Sequence, residues 1–253
     1  MAVAGVAAAT AAAPPERTSR SVTDRVDGLA WTDLEADLTA GGTALSVPLL
    51  SRSECRQLAE SYDSGSFRST VDMGAHRFGE GQYRYFAHPL PAIVTELRAA
   101  FWPHLLPIAR EWAERRGQDA PWPDDLDDWL DRCHVAGQDR PTPLLLRYGP
   151  GDWNALHRDL YGDLVFPLQV VFGLDRPGVD YEGGEFVVVE QRARAQSRAT
   201  STVIGQGQAL VFTTRDRPVR SARGWAAAPV RHGVSTVRAG RRRTLGVMFH
   251  DAR

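Results

Sequence analysis

The chain has 253 residues, 43% of them hydrophobic and 24% charged, with a formal net charge of −1. That fits one large β-rich domain or two small ones with a sizeable core. No apolar run approaches the length that crosses a bilayer, and two cysteines cannot build a disulfide framework, which points to a reducing, cytoplasmic setting.

Residues 2–15 are alanine-rich, end in prolines and lack a basic start, so residues 1–20 are expected to form a disordered tail rather than a leader. Residues 21–40 read as a helix. Residues 43–50 read as a strand. Ser51 and Glu54 have capping-box spacing and open a helix that runs to about Tyr62. Residues 67–73 and 82–90 look extended. Residues 91–117 carry a helical pattern that Pro103 and Pro107 should bend or break, and residues 124–137 form another helix. Cys133 and His134 fall on that helix as neighbours, which suits packing better than shared metal ligation.

After Pro141 the texture changes to short strands between glycine-rich turns: 143–149, 165–174, 184–190, 201–204, 208–214, 228–237 and 243–250. Such spacing argues for a sandwich or barrel. The expected organisation is α+β with a mainly β core. Residues 21–253 form one domain, in which helical support (21–140) covers one sheet of the core (141–253).

The basic side chains are all arginine. Between Glu190 and Arg243, twelve arginines face two acids, and six aspartates lie between Asp119 and Asp131. This asymmetry fits a nucleic-acid-facing surface and equally a solvated face. Arg192, Arg194 and Arg198 share that ambiguity.

Two motifs carry chemistry. His157-Arg158-Asp159 places an imidazole and a carboxylate at i, i+2, the same face of a strand. The triplet also opens the catalytic loop of protein kinases, but the asparagine required five residues after the aspartate is here Leu164, and no glycine-rich phosphate loop appears. His232 on a facing strand would complete a two-His-one-carboxylate set, which holds non-haem Fe(II) and leaves positions open. Ten positions on stands Arg242, with Thr244 on its face if the segment is a strand. A guanidinium fork with a hydroxyl suits a carboxylate. Arg241 and Arg243 would take the opposite face.

Other residues have plainer readings. Gly183-Gly184 suits a tight turn, Glu182 and Glu185 a polar hairpin end, and His250-Asp251 a structural pair. Gln169 and Trp153 suit either cavity lining or packing.

The HxD…H…R pattern resembles that of the Fe(II)/2-oxoglutarate-dependent dioxygenases, and the His232–Arg242 interval resembles their prolyl-hydroxylase-like branch. The blocks "GQYRYFAHPLP", "CHVAGQDRPTPLLLRY", "LHRDLYGDLVFPLQVV", "YEGGEFVVVEQRARAQSR", "RHGVSTVRAG" and "RRTLGVMFHDA" closely resemble one bacterial oxygenase family held to act oxidatively on damaged DNA. The resemblance implies a double-stranded β-helix (jelly roll). It implies that His157, Asp159 and His232 bind Fe(II), that Arg242 and Thr244 hold the distal carboxylate of 2-oxoglutarate, and that Tyr148 is a further contact. The implied reaction consumes O2 and 2-oxoglutarate, releases succinate and CO2, and hydroxylates a C–H bond. Alkylated nucleic acid is the first candidate substrate; a protein side chain, such as proline, or a small molecule is the alternative. The chain lacks the Arg-x-Asn-x-Thr-x-Arg stretch of AlkB-type repair enzymes, so the motifs speak more to the cosubstrate than to a damaged base. A cupin- or lectin-like binding module would explain the β texture but not Arg242 and Thr244 beside a complete triad.

Overall fold

The computed structural model describes residues 20–159, 161–192, 195–222 and 224–253. The expected N-terminal tail lies outside them, apart from Arg20, and so does Arg194. The N-terminal half supplies helices α1 (Val22–Asp27), α2 (Trp31–Gly41), α3 (Arg52–Ser64), α4 (Met73–His76), α5 (Ala92–Arg115) and α6 (Leu126–Val135). Strands β1 (Thr43–Pro48), β2 (Phe67–Asp72), β3 (Gly79–Glu80) and β4 (Gln82–Phe86) are interspersed among them. Then follow β5 (Leu144–Tyr148), β6 (Trp153–His157), β7 (Leu168–Gly173), β8 (Tyr181–Gly183), β9 (Phe186–Glu190), β10 (Arg198–Thr202), β11 (Gln208–Thr213), β12 (Asp216–Ser221), β13 (Gly224–Val234), β14 (Val237–Gly240) and β15 (Arg242–Val247).

Two antiparallel sheets dominate. One has seven strands in the order β1-β11-β7-β15-β5-β4-β2; the other runs β10-β9-β13-β6-β3, with β12 paired to β13. Three strands of the larger sheet therefore come from residues before 141, so its core draws on both halves of the chain.

Period-two alternation sorts the larger sheet into two faces. Leu168, Val170, Phe172, Ala209, Val211, Leu245 and Val247 pack with α5 and the other helices in one continuous core. The intervening Val171, Leu210 and Phe212 meet Phe186, Val188 and Val230 of the smaller sheet. One face thus carries the helical layer, and the other faces the smaller sheet.

Several expectations need adjustment. The helix expected over 21–40 is two helices. Ser21 caps the first with a capping box, and after Gly28 the chain turns a corner pinned by Trp31 Nε1 donating to the Val26 carbonyl at 2.9 Å. The capping box at Ser51 forms as expected. Pro103 and Pro107 do not break α5, which runs unbroken through both. Proline forfeits a backbone bond, but a long row of buried residues against the sheet outweighs that loss. The strand expected at 201–204 is Arg198–Thr202, because Thr202 pairs with Phe186, where β9 begins. No helix among the described residues is long and apolar enough to cross a membrane.

Candidate active site

His157 ends β6, and His232 lies opposite it in β13, a direct antiparallel pair. The two strands are neighbours in one sheet rather than facing each other across the molecule. Asp159 lies just beyond the strand rather than on it, yet it reaches both rings: its carboxylate oxygens stand 3.4 Å from His157 Nε2 and 3.1 Å from His232 Nε2. The three ligand atoms lie within 4.8 Å of one another.

The surroundings orient each group. His157 Nδ1 donates to the Ala155 carbonyl at 2.7 Å, which turns Nε2 toward the carboxylate. His232 is buried against Phe186, its ring parallel to within 15°, and against Phe212 at 4.7 Å. Tyr161 donates to Asp159 Oδ1 at 2.8 Å, and Gln169 Nε2 to Oδ2 at 2.7 Å. Burial alone would raise the Asp159 pKa. The two imidazoles outweigh it and hold the carboxyl well below its usual range, so the ligand oxygens are ionised. Burial also lowers the pKa of His232, despite the pull of Asp159. In His157, Asp159 outweighs burial and the pKa rises.

The triad opens into a cavity of about 390 Å3 between the two sheets. Arg242, Thr244 and Gly246 of β15 line it. Alternation sends Arg243 the other way, where it grips Asp175 through both carboxylate oxygens. That settles which arginine of the triple run faces inward. Tyr148 pairs with Arg242 across β5 and β15, its ring centroid 5.4 Å from the guanidinium carbon. Burial pushes its phenol up to about 12. Leu144, Leu146, Val171 and Met248 make the remaining walls largely apolar.

Arg242 is 2% exposed, and neither its Nε nor its Nη1 has a hydrogen-bond partner among the described residues. A buried guanidinium with free donors calls for an anion. Two imidazole nitrogens, one carboxylate and a nearby arginine with two free donors suit Fe(II) and a dicarboxylic keto acid, so the residues fit both groups.

The structure also assigns roles that the sequence left open. Gln169 is an orienting partner of Asp159, whereas Trp153 stays 41% exposed and outside the cavity lining. Tyr161 was not singled out, although it continues the i, i+2 run from His157 and Asp159. Gly184 has φ +65°, and a Cβ there would stand 2.6 Å from Arg242 Cδ, so this glycine leaves room for the arginine. Glu185 is tied to Ser235 through its N–H and its carboxylate, but it does not end a hairpin: β8 pairs with β14 and β9 with β10 and β13, so the chain crosses from one sheet to another at Gly183-Gly184.

Comparison with known proteins agrees with this geometry. Residues 81–252 match the family Oxygenase-NA, described as "Oxygenase, catalysing oxidative methylation of damaged DNA". The protein Rv2227 of Mycobacterium tuberculosis H37Rv is 61% identical over 167 residues, which cover 66% of this chain and 72% of that protein. Among solved structures, a Pseudomonas putida prolyl-4-hydroxylase aligns with a TM-score of 0.51 at 16% identity, over 88% of this chain and 99% of that one. The non-heme alpha ketoglutarate dependent epimerase SnoN aligns with a TM-score of 0.53 at 13% identity, over 86% and 80%.

Proposed function

The chain belongs to the Oxygenase-NA family, and from that premise we propose that it is an Fe(II)- and 2-oxoglutarate-dependent dioxygenase acting on alkylated nucleic acid. The observation that carries the cofactor assignment is the convergence of His157, Asp159 and His232 beside the buried Arg242, whose Nε and Nη1 have no hydrogen-bond partner among the described residues. We read the paired sheets as a double-stranded β-helix and residues 21–253 as one domain. Two buried free cysteines suit a cytoplasmic location.

His157, Asp159 and His232 would hold the metal, and Arg242 the distal carboxylate of 2-oxoglutarate. When bound, the pair supplies O2 activation for hydroxylation of a substrate C–H bond, with succinate and CO2 as coproducts. The protein's share is positioning. Gln169 and Tyr161 fix the carboxylate ligand, and the Ala155 carbonyl fixes the His157 tautomer. Thr244 places a hydroxyl on the face of Arg242. Tyr148 stays protonated beside the arginine, and the walls around the reacting centre are largely apolar.

The family's description supports the nucleic-acid reading. Two cations at the cavity, Arg77 and Arg158, and the exposed ring of Phe78 fit a phosphate backbone and a stacked base. The test is succinate formation stimulated by methylated single-stranded DNA, measured beside a peptide pool. Stimulation by the methylated DNA is expected. Stimulation by peptides alone would move the substrate to protein.

A further inference from the structure

Away from the cavity, a second set of metal-ligating side chains converges. His88 follows β4, His134 lies in the last turn of α6, and Asp251 lies in the C-terminal segment. Their ligand atoms lie within 4.8 Å of one another. His134 Nε2 is 2.9 Å from Asp251 Oδ2, and His88 Nε2 is 4.0 Å from the same oxygen. The carboxylate is fully buried, whereas both imidazoles reach solvent. Arg98 Nη2 holds the other carboxylate oxygen at 2.8 Å, which leaves Oδ2 to the histidines.

We propose that His88, His134 and Asp251 form a second, structural metal site for a divalent transition cation of the zinc type. A salt-bridge network needs only one histidine on Asp251. Here two imidazoles from separate elements bring Nε2 to one carboxylate oxygen, and solvent access leaves room for water as a fourth ligand. Two nitrogens and a single carboxylate are the wrong donor set for calcium or magnesium, which take several oxygens; they suit zinc, cobalt or nickel. Arg98 plays the outer part that hydrogen-bonded partners of ligating carboxylates commonly play. Its positive charge lowers affinity without blocking Oδ2.

A cation here would tie together the turn after β4, the end of α6 and the C-terminal segment. That segment leads toward the active cavity. His250, next to Asp251, accepts a hydrogen bond from the Phe166 N–H, and its ring lies 6.2 Å from that of Tyr161, the residue that donates to Asp159. The clip would therefore steady the wall behind the candidate iron ligand.

Titration of metal-free protein with Co(II) alone, read by visible absorption and by equilibrium dialysis, tests the proposal. Wild type should bind two equivalents. The double variant His88→Ala/His134→Ala should bind one, and so should His157→Ala/His232→Ala, each losing a different part of the spectrum. The two histidines of the second site are solvent-exposed, so their removal leaves the fold intact, which circular dichroism checks. Two equivalents retained in His88→Ala/His134→Ala would overturn the second site, as would a single wild-type equivalent that disappears in His157→Ala/His232→Ala. A single wild-type equivalent lost only in His88→Ala/His134→Ala would support the second site and count against the triad.

Discussion

At the scale of single residues, the account turns on Arg242 and on the glycine that makes room for it. Gly184 needs a left-handed backbone that alanine adopts only with strain, and a methyl group there would displace the arginine's Cδ. Gly184→Ala should therefore weaken 2-oxoglutarate binding by about tenfold or more, as expected when a charge-assisted contact worth roughly 1.5–3 kcal/mol is misplaced. The KM for 2-oxoglutarate measures this; a KM equal to wild type would remove Arg242 from the carboxylate. Gln169 and Tyr161 act one step further out, on Asp159. Gln169→Leu and Tyr161→Phe should each lower Fe(II) affinity about 10- to 100-fold, read by metal titration independently of turnover. The triad and Arg242 were legible because chemistry-bearing residues recur at fixed spacings. Gln169 was ambiguous because a lone glutamine in a strand carries no spacing signal, and its role depends on β7 lying across from the triad.

At the scale of elements, part of the arginine-rich stretch is structural. Arg217 reaches from β12 to Glu190 at the end of β9 and to the Thr39 and Ala40 carbonyls at the end of α2. It ties the smaller sheet to a helix, and Arg192 takes the other oxygen of Glu190. Part of the apparent nucleic-acid signal is thus internal pairing. Burial would raise the Glu190 pKa, but the two arginines outweigh it and lower the pKa. A depressed folded-state pKa gives stability that is present above the unfolded value near 4.5 and is lost as the pH falls through the folded one. Glu190→Gln should cost roughly 3 kcal/mol at neutral pH, as breaking a buried pair does. Its deficit against wild type should shrink below about pH 4.5, the unfolded glutamate's range. Thermal melts across pH 3–7 would show this, and a deficit independent of pH would mean that the ion pair is not its source. Most strands after residue 141 were legible from alternation and turns. The short β8, β12 and β14 were not, and neither was β6, because its sequence Trp-Asn-Ala-Leu-His mixes polar and apolar residues without a clean period. Yet it carries His157, the first candidate iron ligand, placed by pairing with β13 rather than by propensity.

At the scale of the whole molecule, the fold is a helical layer on one face of a seven-stranded sheet and a cavity on the other. The sequence predicted this layering, but it could not show that β1, β2 and β4 join the same sheet, since long-range pairing leaves no local mark. Burial pushes the Cys55 thiol up to about 12 and raises that of Cys133 as well. Neither should react with a disulfide reagent at pH 8 until the protein unfolds, and rapid labelling of the native protein would contradict the packing of both helices. The most direct test of the central claim is anaerobic addition of Fe(II) and 2-oxoglutarate. The account predicts a visible metal-to-ligand charge-transfer band that is lost in His157→Ala, Asp159→Ala and His232→Ala, and that in Arg242→Ala needs at least tenfold more 2-oxoglutarate, in line with a lost charge-assisted contact. No band in the folded wild type, or a band unchanged in His157→Ala, would contradict it.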